Sequence, residues 1–421
     1  MRLFFVLSLA LVCAVDIPIA HAQGSFTVDQ AVELAIKQNH RLRAATSDSL
    51  AARAAVTSAK AAANPEIVFV PAITGPAGSD TELLIQQPLE INGARSARTR
   101  VAEAQRAAVD AAGGVELRSL VLRVKSAYYE LLRARNGVDV ARTQLGSARE
   151  FDQLTRKQVE AGARPGIDQI QTGIEVARAH QVVFAAERRQ STLEADLNTL
   201  MGRDPGATIA ALTVVTVPQA PSPVKALLAQ ALASRPEIAV EAANRDMFLA
   251  QGQQARAEGR IDIVPQFRVG RVTGGKVEDA GIGVGISLPL FDFGSRRGRV
   301  SQAAHSAQAQ SERIAAVSAE TERDVILAAH RLETALAEIA SYQSGILDST
   351  KQLLDASRTG FREGRTSIIA VLEAQRVNGA VQTGYSDALV DAALAQAQLE
   401  FATGTISPKL LTLAATNGAA Q

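Results

Sequence analysis

Four histidines follow residue 22 of this chain: His40, His180, His305 and His330. A zinc site needs three or four imidazole, thiolate or carboxylate ligands converging at about 2 Å, and sequence announces it through pairs such as His-x-x-x-His. No two of these histidines share such a motif, and no cysteine or carboxylate cluster completes a set. They read as isolated helix-surface residues, and no metal site is expected. Catalytic signatures are missing too: there is no phosphate-binding loop and no nucleophile elbow. Gly281, Gly283 and Gly285 have the look of a phosphate cradle, but they alternate with Ile282, Val284 and Ile286 inside an apolar strand that leads to Pro289. They make a small-residue strand face instead. The expectation is a protein that is not an enzyme and carries no cofactor.

The elements that hold these residues follow from composition and pattern. Across 421 residues the charges nearly cancel, at a formal net +1, which excludes the basic footprint of a nucleic-acid binder. Tryptophan is absent and aromatics make up 4%, so the apolar 47% is mostly Ala, Val, Leu and Ile, a composition suited to close helix–helix packing. Residues 1–22 read as a secretory signal peptide: Arg2, an apolar run from Leu3 to Val15, and a small-x-small site at Ala20-His21-Ala22. The single cysteine, Cys13, reads either as a signal residue lost on processing or as a lipoprotein cysteine. Val12, where a small residue is usual, favours the first. No later stretch is apolar enough for a transmembrane helix. An exported chain of this kind is periplasmic, secreted or an outer-membrane barrel.

The chain is written twice. Pro88, Leu89, Gly93, Arg95 and Arg98 recur as Pro289, Leu290, Gly294, Arg296 and Arg299 at one offset of 201. Gly162 and Gly202 recur as Gly364 and Gly404 at 202. Asn39-His40-Arg41-Leu42 matches Arg235-Pro236-Glu237-Ile238 by pattern. The repeats span 23–216 and 217–408, with a flexible tail at 409–421. The first predicts a helix from an N-cap at Thr27 to about Ala63, strands at 65–74 and 81–90 around a turn cluster at 74–79, and long helices at 95–160 and 167–201. Gly113-Gly114 is a point where the first long helix would dent. The second predicts a helix at 222–258, strands at 261–272 and 280–291, and long helices at 295–363 and 366–403. A proline-free run of about 67 residues would extend about 100 Å as a helix, so it reads as coiled coil. Leu117, Val121, Val124, Tyr128, Leu131 and Val138 form one seam, and Val325, Leu332, Ile339 and Ile346 another.

Strand 280–291 alternates strictly, with Ile282, Val284, Ile286, Leu288 and Leu290 on one face and small or polar residues on the other. Coiled coils offer no compact core to cover that face, so it fits a lipid-facing barrel strand. On 261–272, Ile263, Phe267 and Val269 share a face, Arg268 takes the other, and Arg271 falls among the apolar residues. Four strands cannot close a membrane barrel, and open edges are not tolerated in lipid. The chain must pool its strands with copies of itself.

With this duplication, the Pro-Leu-x-x-x-Gly-x-Arg strand exits and the stretch Gly364-Arg365-Thr366-Ser367-Ile368-Ile369-Ala370-Val371-Leu372-Glu373-Ala374-Gln375, the chain resembles the TolC family of outer-membrane efflux proteins. Residues 87–98 are most similar to its heavy-metal (CzcC-like) subgroup. The resemblance implies a mainly α fold with a small membrane β-barrel contribution, four strands per protomer, and a homotrimeric α/β barrel duct. It implies a location in the outer membrane with a tunnel into the periplasm. The partners implied are outer-membrane lipid, a periplasmic adaptor (membrane fusion) protein and an inner-membrane pump of the RND type. The function implied is a passive exit for substrates, heavy-metal cations on the subgroup likeness. A periplasmic coiled-coil adaptor without a channel, or a duct for drugs or proteins, is the alternative. The family's gate lies at the turns into the return helices, where two acidic residues three apart ring the pore. Ala370 and Glu373 stand at those positions, and Asp168 is the first-repeat counterpart of Ala370. Glu373 reads as a pore carboxylate or as a solvated helix residue. Arg164 and Arg365 beside the turns would tie the gate shut or contact the adaptor. Gly162 and Gly364 would close the hairpins with positive φ, where adaptor tips dock. Arg95 and Arg296, at the barrel–tunnel junction, read as interfacial anchors or lumen lining.

Overall fold

The computed structural model describes residues 25–70, 82–273, 276–287, 289 and 291–405, without the side chains of 70, 271–273 and 276–278. The signal segment with Cys13, the turn cluster 74–79, the tail 409–421 and the Arg271 side chain lie outside the described residues.

The chain runs α1 (Val28–Gln38), α2 (His40–Lys60), β1 (Glu66–Val70), β2 (Glu82–Gln86), α3 (Ala94–Glu160), α4 (Gly166–Leu200), α5 (Val224–Ser234), α6 (Pro236–Ala257), β3 (Asp262–Thr273), β4 (Lys276–Ser287), α7 (Ser295–Ser341), a π-helical turn (Tyr342–Ile346), α8 (Leu347–Arg362) and α9 (Ile368–Thr403). α3 is one unbroken helix of 67 residues. It continues without a break through Gly113-Gly114. A Cβ on Gly114 would stand 3.3 Å from the Pro236 ring of α6, so that glycine serves a close helix crossing.

Three helices expected to be continuous are interrupted, each for a local reason. Asn39 ends α1 and begins α2: its Oδ1 accepts from the amides of Arg41 and Leu42, and its Nδ2 donates to the Leu200 carbonyl at 2.9 Å. Arg235 breaks the second repeat's helix because Pro236 holds the residue before it extended, at ψ 119°. The expected helix 295–363 divides at the π-helical turn, where Gly345 takes φ 121°. The seam over Val325, Leu332 and Ile339 is buried, but Ile346, the last residue of that turn, is exposed. The first seam is buried at Leu117, Val124, Tyr128 and Leu131, against Ala31, Val32, Ala35 and Ile36 of α1, Leu197 of α4 and Met201 just after it, and Val138 is buried further along.

The strands form one antiparallel sheet in chain order, with β1 and β4 at its edges. β2 pairs with β3 across the two repeats, with Ile85 opposite Phe267. The described part of the first strand is 66–70, and 71–74 lie outside it. β2 is assigned to 82–86, yet the amides of Gln87 and Leu89 still donate to the carbonyls of Pro265 and Ile263, so pairing reaches further down. The described part of β4 is Lys276–Ser287, with 288 and 290 outside it, and Pro289 has no N–H for a ladder.

Below the sheet the helices neighbour one another in the order α2, α3, α6, α7. Further down, α3 takes α4 and α9 as neighbours, with α8 beyond α9. A buried knot joins the repeats between these levels. Arg118 of α3 donates to Glu237 of α6 at 2.5 Å and to the Phe401 carbonyl of α9, with its guanidinium 4.6 Å from the Phe401 ring. Arg235 approaches the same ring at 5.8 Å and donates to Thr321 at 2.9 Å. Burial pushes the Arg118 guanidinium below its ordinary pKa, only partly offset by Glu237.

Candidate functional site

Two helical hairpins, α3–α4 and α8–α9, close the end of the molecule opposite the sheet. Both α3 and α8 end in the same cap. Gly162 and Gly364 take φ 71° and 76°. Their amides donate to Val159 and Phe361, while Ala163 and Arg365 reach back to Gln158 and Gly360. This is the Schellman arrangement, and it satisfies carbonyls that a helix end leaves free. No atom lies within 4 Å of a Cβ placed on either glycine. Gly364→Ala is therefore expected to lower stability by about 1–2 kcal/mol through left-handed backbone strain alone, read as a shifted thermal unfolding midpoint.

The turns place the four charged candidates differently. Arg164 and Asp168 are brought together at 3.3 Å, and the Arg164 guanidinium lies 4.4 Å from the ring of Phe361 on the other hairpin. Among the described residues, Arg365 forms its ion pair with Glu363, two residues before it, and the pair is exposed. Glu373, on the second turn of α9, is exposed and held by Arg376 of its own helix, with bonds of 2.6 and 2.9 Å. The two carboxylates Asp168 and Glu373 thus each have an arginine partner, so that each pair carries no net charge. Hydrogen bonding to Arg376 holds the Glu373 carboxyl below its ordinary value of 4.5 and raises that of Arg376.

Sequence reasoning missed the contacts that join the hairpins. Phe151 of α3 and Phe361 of α8 meet edge to face at 6.0 Å, with Ile368 and Val371 of α9 packed beside them. Arg358 covers Phe151 at 6.0 Å and donates to Ser147 at 3.2 Å. Arg376 was missed as well, although its i,i+3 spacing from Glu373 was a usable signal.

Between α4 and α9, over α3, runs a groove of about 1040 Å³. Its walls carry Glu373–Arg376 on α9 and Glu175–Arg178, 2.7 Å apart, on α4. Further along it lies Asp387, whose carboxyl is pushed up chiefly by burial, against the pull of Arg133 at 3.3 Å. Among the described residues no group of three or more His, Cys, Asp or Glu side chains is placed to hold a metal ion. His180 contacts Arg149 at 2.7 Å and His330 pairs with Glu333 at 3.2 Å; neither meets another histidine.

At the other end, the sheet sorts its side chains by face. Ile67 and Phe69, Leu83 and Ile85, Ile263, Phe267 and Val269, and Ile282, Val284 and Ile286 share one face through the cross-strand register. Ile282 is 87% exposed. The opposite face carries Glu66 bonded to Gln86 at 2.8 Å, and Arg268 paired with Asp279 at 3.3 Å and Glu82 at 3.7 Å. Gly281, Gly283 and Gly285 lie on this polar face, and Gln266 leans across Gly285. A sheet with one continuous apolar face, charged and small residues on the other, and both edges open is a segment of barrel wall in need of neighbours.

At the junction below it, Arg95 is exposed and forms no ion pair among the described residues, while Arg296 donates to the Gly259 carbonyl at 3.1 Å. The structural ties are made one turn on by the next repeated arginines. Arg98 pairs with Glu90 at 2.6 Å and caps the end of α2, and Arg299 pairs with Glu258 at 2.5 Å.

Comparison with known proteins places this architecture. The family profile described as "Outer membrane efflux protein" matches residues 31–203 and 227–405. The "Cobalt-zinc-cadmium resistance protein CzcC" of Cupriavidus metallidurans is 25% identical over 356 residues, 84% of each chain. The "Alkaline protease secretion protein AprF" of Pseudomonas aeruginosa is 27% identical over 80% of this chain and 71% of its own. The crystal structure of the Campylobacter jejuni CmeC outer membrane channel superimposes with a TM-score of 0.79, covering 93% of this chain and 89% of that one at 16% identity, a likeness of fold.

Proposed function

The chain belongs to the outer membrane efflux protein family, and from that premise we propose that three copies assemble into one passive exit duct for heavy-metal cations. The observation that carries the duct is the sheet: one apolar face, one polar face, and two edges left open by β1 and β4. Three such sheets, edge to edge, make a 12-stranded wall with no free edge in lipid. The helices beneath, of which α3 alone runs 67 residues or about 100 Å, continue the tube into the periplasm. There the hairpin ends, with Gly162 and Gly364 at their turns, meet an adaptor that links the duct to an energised inner-membrane pump. Heavy-metal cargo rests on the likeness to the cobalt-zinc-cadmium resistance protein. The likeness to an alkaline protease secretion protein supports a second reading, a duct for exported protein.

Fractionation tests the assembly. A heat-modifiable trimer that needs detergent for release from the outer membrane is expected, and a water-soluble monomer would overturn the duct. A deletion strain should become sensitive to zinc, cobalt or cadmium. Sensitivity to organic drugs alone, or loss of a secreted protein alone, would overturn the metal cargo.

For the constriction, the Glu373–Arg376 pair predicts an asymmetry. Arg376→Ala uncovers a carboxylate and is expected to raise cation selectivity in planar bilayers, whereas Glu373→Ala uncovers a guanidinium and shifts selectivity toward anions. Because the Glu373 pKa is depressed, its charge and the pairing are fully present above the ordinary value of 4.5 and fade only as pH falls through the lowered folded value. Wild-type selectivity should therefore hold steady from neutral pH down to that range. If both variants conduct with wild-type selectivity, the pair lies outside the constriction.

A further inference from the structure

We propose that the rim just below the sheet is a binding surface for anionic phospholipid headgroups of the outer membrane's periplasmic leaflet. The proposal rests on the outer-membrane location and adds a ligand to it. Three chain segments meet at this rim. Asp262 accepts from the amides of Ile91 and Glu90 at 2.9 and 3.2 Å, which bolts the exit of β2 to the start of β3. Arg296 donates to the Gly259 carbonyl, which bolts the exit of β4 to the same place. Leu89, Ile91, Ile261, Phe291 and Phe293 are all exposed there.

At Leu89 this ledge continues the apolar face of the sheet, and Phe291 and Phe293 extend it past the end of β4. The Leu89 amide still donates to Ile263, so Leu89 keeps the register and parity of Leu83 and Ile85. Phe291 and Phe293 are 80% and 98% exposed, and their rings stack 6.4 Å apart at 29°. Phe293 holds φ 48°, a left-handed conformation unfavourable for a side chain of its size. Asp292 accepts from the amides of Gly294 and Arg296 and so fixes the turn that presents both rings. Water does not reward such a display; a lipid interface does.

Membrane proteins ordinarily mark that interface with Trp and Tyr, whose polar tips reach the headgroups. This chain has no Trp, and its four tyrosines sit at 128, 129, 342 and 385, none beside the sheet. Phenylalanine has no polar tip, so the headgroup contact must come from neighbouring side chains. Arg95, Arg260 and Arg297 flank the ledge, one on each of the three segments. All three are exposed and form no ion pair among the described residues. An exposed guanidinium beside an apolar ledge matches a phosphate diester above its acyl chains, which competes with the nearby Glu90 carboxylate for Arg95 and with Asp292 for Arg297.

The test uses the purified full-length protein in detergent, mixed with phosphatidylglycerol or phosphatidylcholine of matched acyl chains. Native mass spectrometry then counts the lipids retained. Preferential retention of phosphatidylglycerol is expected. Each of Arg95→Gln, Arg260→Gln and Arg297→Gln should lower that preference about fivefold. Phe291→Ser with Phe293→Ser should lower retention of both lipids. Equal retention by the wild type, an undiminished preference in the triple arginine variant, or full displacement by inorganic phosphate would each overturn the proposal. Conductance in planar bilayers separates it from the duct: a conducting wild type without lipid preference overturns the rim and leaves the duct standing.

Discussion

Val284→Arg is expected to abolish assembly of the channel in the outer membrane. Val284 sits in the second half of β4 on the apolar face, opposite Pro265 and between the exposed Ile282 and Ile286. An arginine on the lipid face of a barrel costs about 2–4 kcal/mol near the bilayer midplane. That is roughly two orders of magnitude in the insertion equilibrium for each chain, and an oligomeric wall carries the penalty once per copy. Gly283→Ser, one residue away, is the control. It lies on the polar face with no atom within 4 Å of an added Cβ, so assembly should be unaffected. Outer-membrane fractions compared before and after heating read both outcomes. Equal amounts of heat-modifiable channel from both variants would mean that this face does not meet lipid.

The second large effect is expected at the knot between the repeats. Glu237→Ala leaves Arg118 inside the protein with its charge and without its carboxylate. The Arg118 side chain is 3% exposed, so water cannot take the partner's place. Breaking a buried pair from one side costs about 3–5 kcal/mol. Replacing both partners, as Arg118→Met with Glu237→Met, removes the stranded charge and should cost clearly less, although the Phe401 carbonyl loses a donor too. Thermal unfolding of the detergent-extracted protein, taken round the full double-mutant cycle, measures the difference. Additive single and double variants would show that Arg118 and Glu237 do not act as a pair. The pH profile offers no substitute, because the guanidinium stays charged throughout the accessible range even with its pKa lowered by burial.

These two sites differ in how far the chain announces them. The face of β4 is written in period two over a few residues, and neighbouring strands only extend it. The 67-residue span of α3 is likewise visible, because proline is absent from it and a helix is built from contacts three and four residues apart. The positive φ of Gly162 and Gly364 follows from a local rule, since glycine alone adopts it at little cost. The open edges follow as well: four strands cannot enclose themselves, so association is implied by counting.

Other features depend on partners that lie far off in the chain. Asn39, Arg235 and Gly345 interrupt helices whose apolar pattern runs on regardless, because a cap, a proline and one left-handed residue each override periodicity at a single point. Arg118 reads as one more arginine on a long helix until Glu237 and Phe401 are folded against it. Phe151 and Phe361 are two isolated aromatics until the hairpins stand side by side. Glu373 was legible as an acid near a turn, but whether it presents a bare charge depends on the rotamer that lets Arg376 reach it. The sequence by itself determined the duplication, the sidedness of the sheet and the lengths of the tube, since each is a short-range or repeating pattern. The tertiary structure alone decided which charges are paired and how the hairpins are joined, since those energies arise only between groups that folding brings together.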